Sequence, residues 1–307
     1  MSRLYVAVIG AGHLGSKHAK VYSRLKGIHL VGVCDINADH GKKIAKKYRT
    51  AYYADYRDLF DKVQAVSISV PTFLHYKIAK DFINNGIHVL IEKPITKTLK
   101  EADELLEIAK KKNVIIQVGH IERFNSAVRA IEPYIKEPKF IECTRSGPFV
   151  ARAADIGVVL DLMIHDIDII LGLIKSSVES IESVGVRIVS QHEDTANVRM
   201  VFANKTVCDL TASRVTKKPV RTIKIFQEDS YILLNYLTQS ATLYRRHRDI
   251  MKKKNIKIRK EEPLRKELES FVECALNGKR PIVSGEEARK ALKVAIDITE
   301  EIKAKLT

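Results

Sequence analysis

The stretch Val6-Ala7-Val8-Ile9-Gly10-Ala11-Gly12-His13-Leu14-Gly15 leaves this chain few choices of fold. An apolar run with β-branched members reads as a buried strand. Gly10, Gly12 and Gly15 follow at the spacing G-x-G-x-x-G, and Ser16 to Leu25 shows helical apolar spacing. In a strand, tight turn and helix of this kind, the first glycine permits the turn and the second lets the backbone approach a pyrophosphate. The third allows close helix–strand contact, so the helix N-terminus faces the anion. Glycines recur in turns for conformational reasons alone, so the context carries the weight. A second apolar strand, His29 to Cys34, ends in Asp35, twenty residues past Gly15, where a carboxylate can accept hydrogen bonds from adenosine ribose hydroxyls. Asp35 would also repel a 2′-phosphate, and Ile36 and Asn37 supply no cation, so the expected dinucleotide is NAD rather than NADP.

From Leu4 to about Val118 strand and helix alternate. Helices are expected at Ala38–Tyr48, His75–Asn84 and Leu99–Lys112, and strands at Ala65–Val70, Ile87–Ile91 and Val114–Val118. Repeated βα units imply an α/β fold with a doubly wound parallel sheet, whose ligands sit at the carboxyl ends of the strands. Gly10, Asp35, the segment Val70–His75, Glu92-Lys93-Pro94 and Gly119-His120 occupy those ends.

Beyond Arg123 the rhythm changes. Asn125–Ile135 and Val158–Ile174 read as helices and Lys139–Arg145 as extended chain. Strand-like segments then follow with short turns, Thr195–Phe202 showing a clear alternation with Ala196, Val198, Met200 and Phe202 on one face. A largely antiparallel sheet with one face covered by helices is expected, followed by helices over Leu264–Leu276 and Gly285–Leu306. Two domains result, 1–121 for the dinucleotide and 122–307 for substrate and oligomerisation, with the C-terminal helix free to pack back on the first.

Composition narrows the function classes. With 307 residues, 45% hydrophobic and 29% charged, the chain is long enough for sizeable cores and describes a globular protein. The start lacks a signal-peptide pattern, and the apolar window Val158–Ile174 holds Asp161, His165, Asp166 and Asp168, which excludes a lipid-facing helix. A cytoplasmic protein without a membrane partner is expected. Cys34, Cys143, Cys208 and Cys274 form no C-x-x-C pair and read as buried thiols. The net charge of +16 leaves open a lysine-rich surface, an anionic substrate or nucleic acid. Its densest patch, Arg245–Lys260, has only Tyr244 beside it for base stacking, so a solvated hairpin is preferred and no nucleic-acid partner is expected.

Lys93 leaves a strand end just before Pro94 and can reach a crevice, where an ammonium stabilises a developing alkoxide. Asp161 and His165, four apart on an expected helix, share a face; imidazole titrates near neutrality and can accept a hydroxyl proton while the carboxylate orients it. A core or capping histidine is the plain alternative. A metal site of Asp161, His165 and Asp168 is the weaker one, for want of further ligands at suitable spacing. Arg123, Arg145 and Arg152 could hold a diphosphate through paired hydrogen bonds, surface solvation being the alternative for Arg152.

These residues together resemble the Gfo/Idh/MocA family along the whole chain. The likeness runs from the glycine loop through Pro71-Thr72-Phe73-Leu74-His75, Glu92-Lys93-Pro94, Arg123-Phe124-Asn125 and Asp161-Leu162-Met163-Ile164-His165 to Gly278-Lys279-Arg280-Pro281. The resemblance implies an N-terminal Rossmann domain, a C-terminal open-faced sheet that pairs subunits into dimers or tetramers, and NAD- or NADP-dependent oxidation or reduction of sugars and cyclitols. It implies cofactor contacts at Gly10, Ala11, Gly12, His13, Leu14, Gly15, Asp35, Ile36, Ser69, Pro71, Thr72, His75, Glu92 and Lys93, with His75 at the nicotinamide ribose or, alternatively, capping its helix. Lys93, Asp161 and His165 are the implied catalytic set, with no metal. Val158-Val159-Leu160 stands where many members have glycines. The segments Gly119–Asn125 and Arg145–Phe149, with Asp161–Asp166, further resemble the branch acting on UDP-N-acetylglucosamine, so a nucleotide sugar is expected. An inositol or free-sugar dehydrogenase, or a non-catalytic NAD-sensing protein, is the alternative.

Overall fold

The computed structural model describes residues 3–150 and 156–306. The chain divides into two compact units, residues 1–121 with 262–289, and residues 122–261 with 290–307.

In the first unit the strands are β1 (Leu4–Ile9), β2 (Ile28–Cys34), β3 (Ala51–Tyr53), β4 (Ala65–Ile68), β5 (His88–Ile91) and β6 (Ile116–Val118). They form one parallel sheet in the order β3-β2-β1-β4-β5-β6. That is the order of two mononucleotide-binding halves, with the strand direction of travel reversing beside β1. Helices α1 (His13–Tyr22), α2 (Ala38–Tyr48), α3 (Thr72–Asn84) and α4 (Leu99–Lys112) link the strands. Local chemistry sets their ends. Asn37 accepts a hydrogen bond from the His40 N–H at the start of α2, and Thr98 and Glu101 form a reciprocal capping box on α4. Arg49 and Asn113 close these helices in the left-handed conformation. Val6, Val8, Val33, Ala65 and Leu90 make the buried centre of the sheet, and α7 (Pro263–Asn277) adds Leu264, Leu268 and Phe271 to the same core.

The second unit is built on an eight-stranded sheet ordered β14-β13-β12-β11-β7-β10-β9-β8. Its strands are β7 (Phe140–Ser146), β8 (Val178–Val186), β9 (Thr195–Phe202), β10 (Val207–Ser213), β11 (Val220–Phe226), β12 (Ser230–Asn235), β13 (Ser240–His247) and β14 (Ile250–Asn255). All neighbouring pairs run antiparallel except β7 and β10, which are parallel. The expected alternation holds in β9, where Ala196, Val198, Met200 and Phe202 are buried on one face. That face joins Cys208, Leu210, Ile223 and Ile225 under α5 (Ser126–Ile131), α6 (Ile164–Leu173) and the second-unit part of α8 (Gly285–Lys305). The basic stretch is the β13–β14 hairpin, with β14 exposed throughout at the sheet edge. Lysines along such an edge discourage pairing with another strand. No helix among the described residues is long and apolar enough to cross a membrane.

Candidate active site

The glycine loop is held to the sheet by backbone bonds from the Gly10 N–H to the Cys34 carbonyl (2.8 Å) and from the Ser69 N–H to the Ile9 carbonyl (2.7 Å). Gly10 has a φ of +85°, and a Cβ there would come within 2.5 Å of the Ser69 carbonyl oxygen. At Gly15 a Cβ would overlap the Gly10 carbonyl, so both positions admit only glycine. Gly12 differs: a Cβ there would meet nothing within 4 Å. The space in front of it is open. Gly12 also caps α1 without any side-chain hydrogen bond, and His13 and Leu14 are exposed. An uncapped helix start behind an open glycine is a cradle for a phosphate pair, and the residues fit a dinucleotide. Asp35 stands at the end of β2, where its carboxylate accepts from the N–H of Ala11 (2.7 Å) and of Asn37 (2.8 Å). Ile36 beside it is 97% exposed, leaving that edge open.

The turn from β4 into α3 carries Ser69, Pro71 and Thr72. Pro71 caps α3 without a side-chain bond. His75 lies one turn into α3, is buried, and places each ring nitrogen 2.9 Å from a carbonyl oxygen, Pro94 at Nδ1 and Val70 at Nε2. Burial holds this imidazole below its usual pKa. A neutral ring has one N–H to give, so it donates to one of these carbonyls; buried between the two, it braces the ends of β4 and β5 in place of the expected ribose contact. Glu92 is buried beside His18 of α1, with Nε2 to Oε1 at 3.1 Å, and its Oε2 lies 3.3 Å from the Lys93 N–H. Lys93 is half-buried and the Lys93–Pro94 peptide is cis.

In the second unit, Val158–Ile174 departs from the expected single helix. Val159–Met163 is a π-helical turn that runs into α6 at Ile164, so Asp161 sits in the wide turn and His165 in the first turn of α6, both half-buried. π-turns of this kind recur at functional positions. Its start is held by Glu193, whose carbonyl accepts from the Val158 N–H (2.9 Å) and whose carboxylate accepts from the Val159 N–H (3.3 Å). Gly157 leaves the room that Glu193 fills.

The arginines require a correction. Arg145 is 2% exposed and spends its guanidinium on Asp166, with Nε to Oδ2 at 2.9 Å and Nη2 to Oδ1 at 3.2 Å. The Tyr236 hydroxyl donates to the same carboxylate at 2.5 Å, the guanidinium lies over the Tyr236 ring, and Glu122 is 3.5 Å away. Burial alone would pull the Arg145 guanidinium down, but the Asp166 carboxylate, through charge and hydrogen bond, and that of Glu122 hold it above its usual value. Arg123 lies 3.6 Å from the Asp168 carboxylate, against Gly172. Both hold the helix that carries His165; Arg145, buried with Nε and Nη2 on Asp166, has no fork left for a diphosphate, whereas Arg123 meets Asp168 through Nη1. Arg152 lies outside the described residues. Nothing local in the sequence marks Glu193, Tyr236 or Asp166 as partners. His18 had a signal, a polar residue at an apolar position of a buried helix face. Among the described residues no group of three or more His, Cys, Asp or Glu is placed to hold a metal.

Comparison with known proteins agrees with this architecture. Residues 4–120 match a family model described as an oxidoreductase family with an NAD-binding Rossmann fold, and residues 117–232 match the GFO/IDH/MocA C-terminal domain. UDP-N-acetylglucosamine 3-dehydrogenase of Acidithiobacillus ferrooxidans is 33% identical, covering 99% of each chain. A solved structure of that enzyme superimposes with a TM-score of 0.95 over 100% of both chains. The NAD(+)-dependent scyllo-inositol 2-dehydrogenase of Bacillus subtilis is 29% identical, covering 97% of this chain and 93% of its own. With both halves of the chain matched and the phosphate cradle in place, this protein belongs to the Gfo/Idh/MocA family and is an NAD-dependent dehydrogenase acting on CH–OH groups.

Proposed function

We propose that the substrate is a nucleotide sugar, UDP-N-acetylglucosamine, oxidised at its 3-hydroxyl. The observation that carries this reading is the end-to-end likeness to the Acidithiobacillus enzyme, at higher identity than the inositol dehydrogenases reach over comparable lengths. Oxidation of inositol is the second reading, favoured by the scyllo-inositol 2-dehydrogenase of Bacillus subtilis.

NAD, when bound, supplies the hydride acceptor. The backbone from Gly10 to Gly15 takes the pyrophosphate and Asp35 the ribose hydroxyls, with Ile36 beside it. Ser69, Pro71 and Thr72 border the nicotinamide half, and His75 and Glu92 hold the turns of that half from behind. Lys93 hydrogen-bonds the reacting oxygen and stabilises its negative charge as the proton leaves. His165 accepts that proton, and Asp161 orients the sugar or steadies the imidazolium. Arg145 and Arg123 keep α6 in place, and the buried pairing of Arg145 with Asp166 takes that residue out of diphosphate recognition.

Turnover of His165→Asn and Lys93→Met with NAD and UDP-N-acetylglucosamine tests the roles. Each should lose about a hundredfold or more in kcat, with NADH affinity, read by fluorescence, nearly intact in the His165 variant. Near-normal turnover in either variant would remove that residue from the chemistry.

A further inference from the structure

We infer that His18 is a positioning residue for the reaction: from α1 it holds the Glu92 carboxylate, and Glu92 in turn holds the turn that carries Lys93. The inference rests on the assignment of Lys93 to the reacting oxygen.

The buried face of α1 consists of Gly15, His18, Ala19, Val21 and Tyr22, and His18 has no exposure at all. Packing alone would be met there by leucine. Burying an imidazole instead costs solvation, and its Nδ1 has no hydrogen-bond partner among the described residues. What the imidazole gains is Glu92, at 3.1 Å from Nε2. Glu92 directly follows β5, and its Oε2 packs so closely on Gly119 that a Cβ there would lie 2.8 Å away. That oxygen is also 3.3 Å from the Lys93 N–H. The carboxylate therefore touches α1, the end of β6 and the Lys93 turn at once.

The charges facing Glu92 are those of His18 from α1, Lys93 from its own turn and, at longer range, His75 from α3. Burial alone would push this carboxyl up; the hydrogen bond and charge of His18, then the charge of Lys93, outweigh it and hold the group below the usual value. Without His18, desolvation prevails and the carboxyl takes a proton. A protonated Glu92 neither neutralises the Lys93 ammonium nor accepts from its N–H with the same strength.

The test uses the full chain with glutamate labelled at the carboxyl carbon, the Glu92 signal being assigned by its absence in Glu92→Gln. In the wild type this signal should stay ionised from about pH 5 to 9, while in His18→Leu its titration should move up by about two units or more, as desolvation of a buried carboxyl requires. His18→Asn, which can donate but carries no charge, should fall between, and it carries the test if the leucine variant does not fold. In parallel, NADH formation from UDP-N-acetylglucosamine by His18→Leu should fall about tenfold or more below the new titration point and recover above it. NADH affinity, read by fluorescence, should change little. An unmoved Glu92 titration overturns the inference, and so does a moved titration with a wild-type pH profile. Failure of the Lys93 assignment itself shows separately, as normal turnover in Lys93→Met.

Discussion

Replacing Arg145 by alanine should expose how the helix carrying His165 is held. The guanidinium is almost wholly buried and donates twice to Asp166, which is 1% exposed and whose further partner is the Tyr236 hydroxyl. Removing one side of a buried ion pair strands the other, at a cost of about 3–5 kcal/mol. For a domain of this size that corresponds to a fall in melting temperature of roughly 6–20 °C. The pH dependence has a definite sign. Burial raises the Glu122 carboxyl and Arg145 opposes that rise, so in the variant Glu122 rises further. A carboxyl whose folded value is raised gives stability that is present below the unfolded value of about 4.3 and lost as pH rises through the folded one. The gap between Arg145→Ala and wild type should therefore widen from about pH 5 to pH 8. Urea unfolding at several pH values reads this directly, and adding Asp166→Asn should recover part of the loss, since the stranded charge is removed. A variant within about 1 kcal/mol of wild type, or a gap that narrows as pH rises, would refute the clamp.

Gly12→Ala should leave the melting temperature nearly unchanged, because the added methyl meets open space, yet weaken NADH binding about tenfold or more by standing where the backbone must approach the phosphates; equal affinity by fluorescence titration would empty the cradle of its role. Wild-type protein should bind NADH about tenfold or more tightly than NADPH, since Asp35 meets ribose hydroxyls as an acceptor and a 2′-phosphate as a like charge; equal binding would contradict that. Asp194, which also pairs with Arg214, accepts from the N–H groups of Val189, Ile188 and Ser190 and from the Ser190 hydroxyl, and these four hydrogen bonds outweigh burial to hold its carboxyl well below the usual range. Such a depressed group gives stability present above an unfolded value of about 3.9 and lost as pH falls through the folded one. Asp194→Asn should thus cost about 2–5 kcal/mol near neutrality, with the gap closing in acid, as thermal unfolding at both ends would show.

The fold was legible where periodicity and caps agree. Ala38–Tyr48 and Leu99–Lys112 form helices over the expected residues because Asn37 and Thr98 cap apolar stripes, and Thr195–Phe202 shows its buried face in plain alternation. The phosphate cradle was legible because only glycine fits Gly10 and Gly15. The π-turn at Val159–Met163 was not, since one wider turn leaves an apolar helical pattern intact and its anchor, Glu193, lies thirty residues on. Arg145 read as a free cation because its partners Asp166 and Tyr236 are distant in sequence, 21 and 91 residues away, and converge only through packing of α6 on the sheet. The β13–β14 hairpin was legible from its run of charge instead, since an exposed edge strand needs no apolar alternation.

By the proposed function, hydride leaves the sugar of UDP-N-acetylglucosamine. The most direct measurement incubates purified protein with NAD and UDP-N-acetylglucosamine beside free N-acetylglucosamine, other UDP-sugars and myo- and scyllo-inositol, with a transaminase present to draw off the ketone. NADH is followed by absorbance and the sugar product by mass spectrometry. NADH should form in step with the 3-amino nucleotide sugar that the transaminase makes from the 3-ketone, a brief reaction without transaminase should show the ketone itself, lighter than substrate by two hydrogens, and the free sugar and the inositols should give little NADH. Efficient oxidation of an inositol or a free sugar, with every UDP-sugar silent under the same coupling, would contradict it.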